Sequence, residues 1–259
     1  MIKVWNKFAG VWLVMMLCCY QAFSFNASDE LVREANQLLG EYKDAEALQK
    51  FEEVLVVVPH HYEALYKISL LHSRIGLRYS DESQKSEHFL LAKNFAEKAL
   101  EVNKHGSESN YVMALAISNL SFVSGAKARI GNLKTIKSYL DKSLAANPKN
   151  ANAWQLLGRW HFKVANLNIL ECTISKILNG CAKTEASNAL AVSALKKAIA
   201  LDPNNLTYYY DLAVVYRETK EIDESIAVLQ NATQLQPITS EDLELSRRCK
   251  VMLNELSPS

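Results

Sequence analysis

Five apolar-periodic runs in this chain end in the same way. EEVLVVVP, DKSLAANP, KKAIALDP and QNATQLQP close at Pro59, Pro148, Pro203 and Pro237, and AEKALEVNK carries Lys104 where the proline would fall. Proline lacks a backbone donor and clashes with the preceding turn, so each run is predicted to be a helix with a fixed end. The end points lie 45, 44, 55 and 34 residues apart. Such intervals hold two helices each, and one helical hairpin cannot bury its apolar stripe alone. The spacing therefore demands a row of hairpins, each covering the next. With only eight glycines and five prolines in 259 residues, long stretches also lack the turn formers that many short strands would need.

The last interval equals the 34-residue tetratricopeptide period, and residues within the units resemble that family. In the fifth unit, Leu206 to Pro237, Tyr209, Leu212, Ala213, Tyr216, Ser225, Leu229, Ala232 and Pro237 match its pattern of large, small, aromatic and closing residues. The fourth unit has Trp154, Leu157, Gly158 and His161, then Ala191, Leu195, Ala198 and Pro203 after an insertion; the first has Ala47, Phe51, Val54 and Pro59. The resemblance implies that the small residues sit where paired helices cross closely. The expected fold is an all-α, tetratricopeptide-like solenoid of about five hairpins with a concave face.

The departures from the period are informative. The second and third intervals exceed it by 11 and 10 residues, which predicts lengthened helices in the middle hairpins. The fourth exceeds it by 21, and Leu167, Leu170, Ile174, Ile177 and Leu178 recur with helical spacing there, predicting an added helix near 167–178 packed on the solenoid. A last helix over 240–255 is expected to cap the stack through Leu243, Leu245, Val251, Met252 and Leu253. With GRWHFKVANLNILE at 158–171, then KKAIALDPN, then ITSEDLELSRRCKVML, the chain resembles the regulator of microtubule dynamics family, most firmly over residues 147–254. The resemblance implies a non-catalytic protein that acts through protein contacts at microtubules, mitochondria or intracellular membranes.

Residues 1–24 are of another kind. Lys3 and Lys7 precede an apolar run from Phe8 to Tyr20, and Ala22-Phe23-Ser24 supplies small residues before a cut. The pattern is that of a secretory signal peptide, which leaves residues 25–259 as one domain, secreted or periplasmic. The alternative is an uncut N-terminal anchor and a membrane-tethered adaptor of the microtubule-regulator type. A spanning helix needs roughly 20 apolar residues, more than this run supplies, so no stable span is expected after cleavage. Lys and Arg total 29 against 28 acids, so no overall field draws the chain to nucleic acid. Cys172 and Cys181 would pair only if the chain reverses at Asn179-Gly180; free thiols are the other reading.

No motif carries catalytic chemistry. None of the six histidines pairs with Glu or Cys at metal-ligand spacing, the glycines are too scattered for a phosphate loop, and there is no nucleophile elbow. No enzyme activity, metal or cofactor is expected. In a tetratricopeptide hairpin certain positions of the first helix face the groove, and the fifth is Tyr66, Tyr111, Gln155 and Tyr210 in the second to fifth units. Three tyrosines would offer an apolar ladder with hydroxyls for a ligand backbone, or else pack as core. Arg159 falls at the ninth position, Arg217 at the twelfth, and Arg74, Lys163 and Glu218 at the thirteenth, so the groove can also take an acidic or carboxyl group. The two-lysine, two-asparagine clamp of tetratricopeptide cochaperones is not found at these positions. The function expected is a scaffold holding an unidentified protein or peptide in its groove. A small-ligand binder using a pocket beside the inserted helix is the further alternative.

Overall fold

A computed structural model describes residues 28–179 and 185–257. Residues 1–24, expected to be a signal peptide, and Cys181, the possible partner of Cys172, lie outside those residues. Each interval between helix ends holds one helical hairpin, two of them with an added helix. Helices α1 (28–40) and α2 (Asp44–Val57) form the first hairpin, and α3 (Tyr62–Arg78) and α4 (Glu82–Val102) the second. The third comprises α5 (Ser107–Val123), α6 (Ala126–Gly131) and α7 (Leu133–Ala146). In the fourth, α8 (Ala151–Ala165) pairs with α10 (Asn188–Leu201), and α9 (Ile169–Asn179) is inserted between them. Helices α11 (Leu206–Glu218) and α12 (Ile222–Gln234) make the fifth, and α13 (Ser240–Leu256) ends the stack. Among the described residues there is no strand, as expected for an α-solenoid.

The turn after each helix end is built from the sequence that suggested it. Asn150 caps α8 by accepting from the Ala153 N–H, and Asn205 caps α11 by accepting from the Thr207 N–H; each follows its proline by two residues. The large residue at the fourth position then ties back to the preceding helix end. Trp154 Nε1 donates to the Pro148 carbonyl at 2.8 Å, and Tyr209 Oη to the Pro203 carbonyl at 3.0 Å. Asn110 Nδ2 makes the same bond at 3.0 Å to Lys104, the residue standing where a proline would. A side chain with a donor at that position therefore fixes the entry of three first helices, whatever residue closes the helix before.

Small residues sit where the helices cross. Gly158, Ala191, Ala198, Ala213, Ser225 and Ala232 are all buried. A Cβ on Gly158 would lie 2.6 Å from Leu195 Cγ and 3.1 Å from the Ala191 carbonyl, so only hydrogen fits. Two hairpins bond directly across the crossing: Ser69 Oγ donates to the Ala92 carbonyl at 2.7 Å, and Ser225 Oγ to that of Ala213 at 3.0 Å.

Three expectations need correcting in detail. Extra length in the second hairpin does lengthen its helices, to 17 and 21 residues. In the third, α5 is likewise 17 residues long, but its partner is divided into α6 and α7 at Gly131-Asn132, where Asn132 Nδ2 turns back onto Ser121 Oγ at 3.1 Å. The inserted α9 buries Leu167 just before it and packs Ile174 on the core, but leaves Leu170, Ile177 and Leu178 exposed. The last helix caps the stack through Cys249 and Met252, with Leu245 and Leu253 packed beside them, while Leu243 and Val251 face outward. Nothing in the residue pattern announces a contact between the second hairpin and α13. There Arg78 pairs with Glu241 and with Asp44, whose carboxylate is fully buried and also within 3.3 Å of Arg74 Nη1.

Candidate functional site in the concave groove

The first helices of successive hairpins, α3, α5, α8 and α11, lie side by side and carry the candidate groove residues. Side-chain bonds stitch them at their starts. Tyr62 Oη donates to Ser109 Oγ at 3.3 Å, Asn150 Nδ2 to Ser107 Oγ at 3.1 Å, and Tyr208 Oη to Asn152 Oδ1 at 2.6 Å.

Along this face the fifth position changes character. Tyr66 is partly buried and meets Tyr62 edge-on, with ring centroids 5.2 Å apart. Burial, with Glu63 and Glu108 nearby, raises its phenol above the usual range. Tyr111 is only 6% exposed, and burial raises its phenol as well. Gln155 is buried and its amide donates to Asp211 Oδ2 at 2.5 Å. Burial raises the Asp211 carboxyl, while Arg159 and that bond oppose the shift. Arg74 is engaged by Asp44. These residues are largely satisfied by the protein itself.

The C-terminal half is open. A cavity of about 400 Å³ lies between α5, α8 and α11, with α6, α7 and α10 adding walls. It brings together four of the eight candidates, Arg159, Lys163, Tyr210 and Arg217, and leaves Tyr66, Arg74, Tyr111 and Gln155 outside its lining. Its floor is apolar, including Leu156, Trp160 and Val214. Arg159 is exposed, sits 5.8 Å from the Phe122 ring centroid and makes no ion pair among the described residues. Lys163 is held by Glu171 at 2.8 Å, and Arg217 by its neighbour Glu218 at 2.8 Å. A fourth cation, Arg129, enters from α6, and its Nε is buried without a hydrogen-bond partner. Among the described residues that line the cavity, Asp211 is the only acid. The arrangement suits an apolar group that carries a negative charge.

Sequence reasoning missed Arg129, Phe122 and Asp211. Asp211 adjoins Tyr210, so a helical projection that included the sixth position would have found it. Arg129 carries no signal, because the length of the third interval predicts a longer helix there and not a separate α6. His161 fills the buried core slot expected of it, whereas His72 and His88 meet with Nδ1 atoms 3.0 Å apart, a pairing their spacing did not announce. Among the described residues no group of three or more His, Cys, Asp or Glu is placed to hold a metal.

Stacked hairpins with small residues at the crossings and a lined concave face define a tetratricopeptide-type α-solenoid. A thermophilic tetratricopeptide protein of Thermus thermophilus superposes with a TM-score of 0.63 at 21% identity, covering 87% of this chain and 98% of that one. Pseudomonas aeruginosa PilF gives 0.52 at 12% identity, with 90% of each chain covered. Both likenesses concern the fold. Within that class, the chain belongs to the family described as regulator of microtubule dynamics protein 1-3, whose profile matches residues 31–257. The mouse regulator of microtubule dynamics protein 1 is 26% identical over 206 residues, 71% of this chain and 67% of the relative. Bovine regulator of microtubule dynamics protein 3 is 27% identical over 179 residues, 69% of this chain but 38% of the relative. Against the bovine protein 1, at 29% identity, the alignment spans 41% of the relative. The chain thus covers two thirds or less of the length of several curated relatives it matches. Folds of this type serve in general as interaction scaffolds rather than enzymes.

Proposed function

We propose that this protein is a non-catalytic scaffold that holds a partner protein by an acidic, partly apolar peptide segment in the groove between α5, α8 and α11. It works in the secreted or periplasmic space to which residues 1–24 direct it. The observation that carries the reading is the cavity of about 400 Å³ with four cations and one carboxylate around an apolar floor. Buried carboxylates on a partner would gain charge-assisted bonds there, chiefly from the unpaired Arg159. Tyr210 at the rim supplies an aromatic surface for the apolar residue beside them. Tyr66, Arg74 and Tyr111 support the groove from its closed end, and Gln155 holds Asp211 at the cavity.

The test is capture of partners from the native envelope fraction by tagged protein, wild type against the Arg159→Glu and Tyr210→Ala variants. A partner retained by wild type and lost from both variants, with thermal unfolding unchanged, is the expected outcome; capture of the same proteins by all three sinks the groove. Intact mass of protein from its host reports the N-terminus. A chain that begins after Ser24 fits an exported scaffold, and an uncut chain favours a membrane-tethered adaptor. The cavity volume also falls in the range of small-molecule sites, roughly 300–1,000 Å³. Stabilisation by small anionic metabolites in a thermal-shift screen, lost in Arg159→Glu, would assign it to a ligand instead.

A further inference from the structure

Helix α9 is amphipathic the wrong way round for a surface helix. Its inward side is mixed: Glu171 and Ser175 are 8% and 3% exposed, beside Cys172 and Ile174 packed on the core. Ile169, Leu170 and Ile177 are 89%, 68% and 78% exposed. At about 100° per residue, Ile169, Leu170, Thr173 and Ile177 fall within about 100° of the helix circumference and form one outward stripe. Orientation is pinned from inside. The Glu171 carboxylate takes Lys163 at 2.8 Å and the Asn168 N–H at 3.1 Å, while the Asn168 side chain accepts from the Glu171 N–H at 2.9 Å. The single acid of the helix is thereby neutralised against the body, and rolling the apolar stripe inward would break its pair with Lys163 on α8.

The charge of the segment that carries this stripe is one-sided. Residues 109–179 hold nine lysines and arginines and only two acids, Asp141 and Glu171, although the whole chain is nearly balanced. Lys176 on α9, Lys127 on the α6 helix against which α9 packs, and Lys134 just beyond it are exposed. A stripe of aliphatic residues on a convex helix, with no aromatic anchor and no pocket, differs from the hot spots of protein interfaces. Aliphatic side chains flanked by lysines suit the boundary between acyl chains and anionic headgroups.

We propose that α9 is a peripheral membrane-docking element: Ile169, Leu170 and Ile177 enter the interface of a bilayer, and Lys127, Lys134 and Lys176 meet its anionic lipids. Docking leaves α9 lying in the plane of the membrane, since no helix among the described residues is long and apolar enough to cross one. It uses a different surface from the groove, so one molecule can hold a membrane and a partner together.

The test is co-sedimentation of the full chain with vesicles of phosphatidylcholine alone or in equimolar mixture with phosphatidylglycerol. Residues 1–24 are common to every variant and set the background. Wild type is expected to bind the anionic vesicles more tightly, and less so as salt rises. The I169E/I177E double variant should lose about tenfold or more of the anionic-vesicle binding, and K127Q/K134Q/K176Q should lose the salt-sensitive part. Both variants change exposed side chains, and circular dichroism during heating checks that they fold. A conservative I169V/I177V variant should bind as wild type does. Binding by I169E/I177E equal to wild type, or no preference of wild type for anionic vesicles, overturns the proposal. So does a wild-type dimer in sedimentation velocity that the double variant abolishes, because the stripe would then be a contact between copies.

Discussion

The two ends of the concave face use the same position of the same repeat and put it to different uses. In the second and third hairpins, Tyr66 and Tyr111 turn into neighbouring helices, and Tyr111 is 6% exposed. In the fifth, Tyr210 lines a cavity that also holds Arg159, Lys163 and Arg217. The difference follows from what stands opposite. Helix α3 packs directly on α5 there. Between α5 and α8 the third hairpin is interrupted at α6, and the cavity opens there, lined by Arg129 of α6 and by Leu133 and Ile136 of α7. A groove-facing position in the repeat is thus an address, and how closely neighbouring first helices pack decides whether it becomes core or surface.

Three substitutions sharpen that contrast. The largest effect is expected at Gly158, where any side chain meets Leu195 and the Ala191 carbonyl. Gly158→Val should cost about 3 kcal/mol or more by forcing α8 and α10 apart, measured by denaturant unfolding. Loss below about 1 kcal/mol would mean that this crossing is loose. Next come the two tyrosines, truncated in parallel. Tyr111→Ala should cost about 3 kcal/mol because it empties a buried site, whereas Tyr210→Ala, at the cavity, should cost about 1 kcal/mol or less and act on binding. Equal losses at the two would erase the distinction between closed and open halves.

The last test concerns the closed half alone. His72 is 5% exposed beneath Phe95 and against His88, and burial, followed by the His88 charge, holds it at about 4 instead of 6.5. The unfolded chain therefore takes up this proton first, and stability present above pH 6.5 is lost as the pH falls toward about 4. The loss expected from this group is about 1–2 kcal/mol. His72→Gln should flatten the stability profile in that window relative to wild type. An unchanged profile would place the acid sensitivity elsewhere.

Much of the architecture was legible in the sequence, and for identifiable reasons. Helix ends were marked by proline because a missing donor acts locally, and the asparagines two residues after Pro148 and Pro203 are the caps that restart the chain. Crossing points were marked by Gly158, Ala198, Ser225 and Ala232, since close approach permits only small side chains there. Half of the candidate groove residues meet in one cavity, because their periodicity puts them on one face. The sequence could not reveal the break at Asn132, whose side chain turns to Ser121 eleven positions earlier, nor therefore that Arg129 on α6 would enter the cavity. It also left open which face of α9 meets the body. Helical spacing of Leu170, Ile174, Ile177 and Leu178 shows a stripe without showing which side meets the body, and the ion pair between Lys163 and Glu171 settles that.

What the chain's own order of residues determined is the count of hairpins, their ends, their crossing points and the face each first helix turns inward. These depend on interactions within a few turns of one helix or between partners adjacent in the chain. Only the tertiary structure decided which groove positions are buried, where the cavity opens, that Arg78 reaches Glu241 on the terminal helix, and that an apolar stripe on α9 points away from the core. Those outcomes depend on the accumulated curvature of the stack and on the lengths of helices far apart in sequence, and no local pattern encodes either.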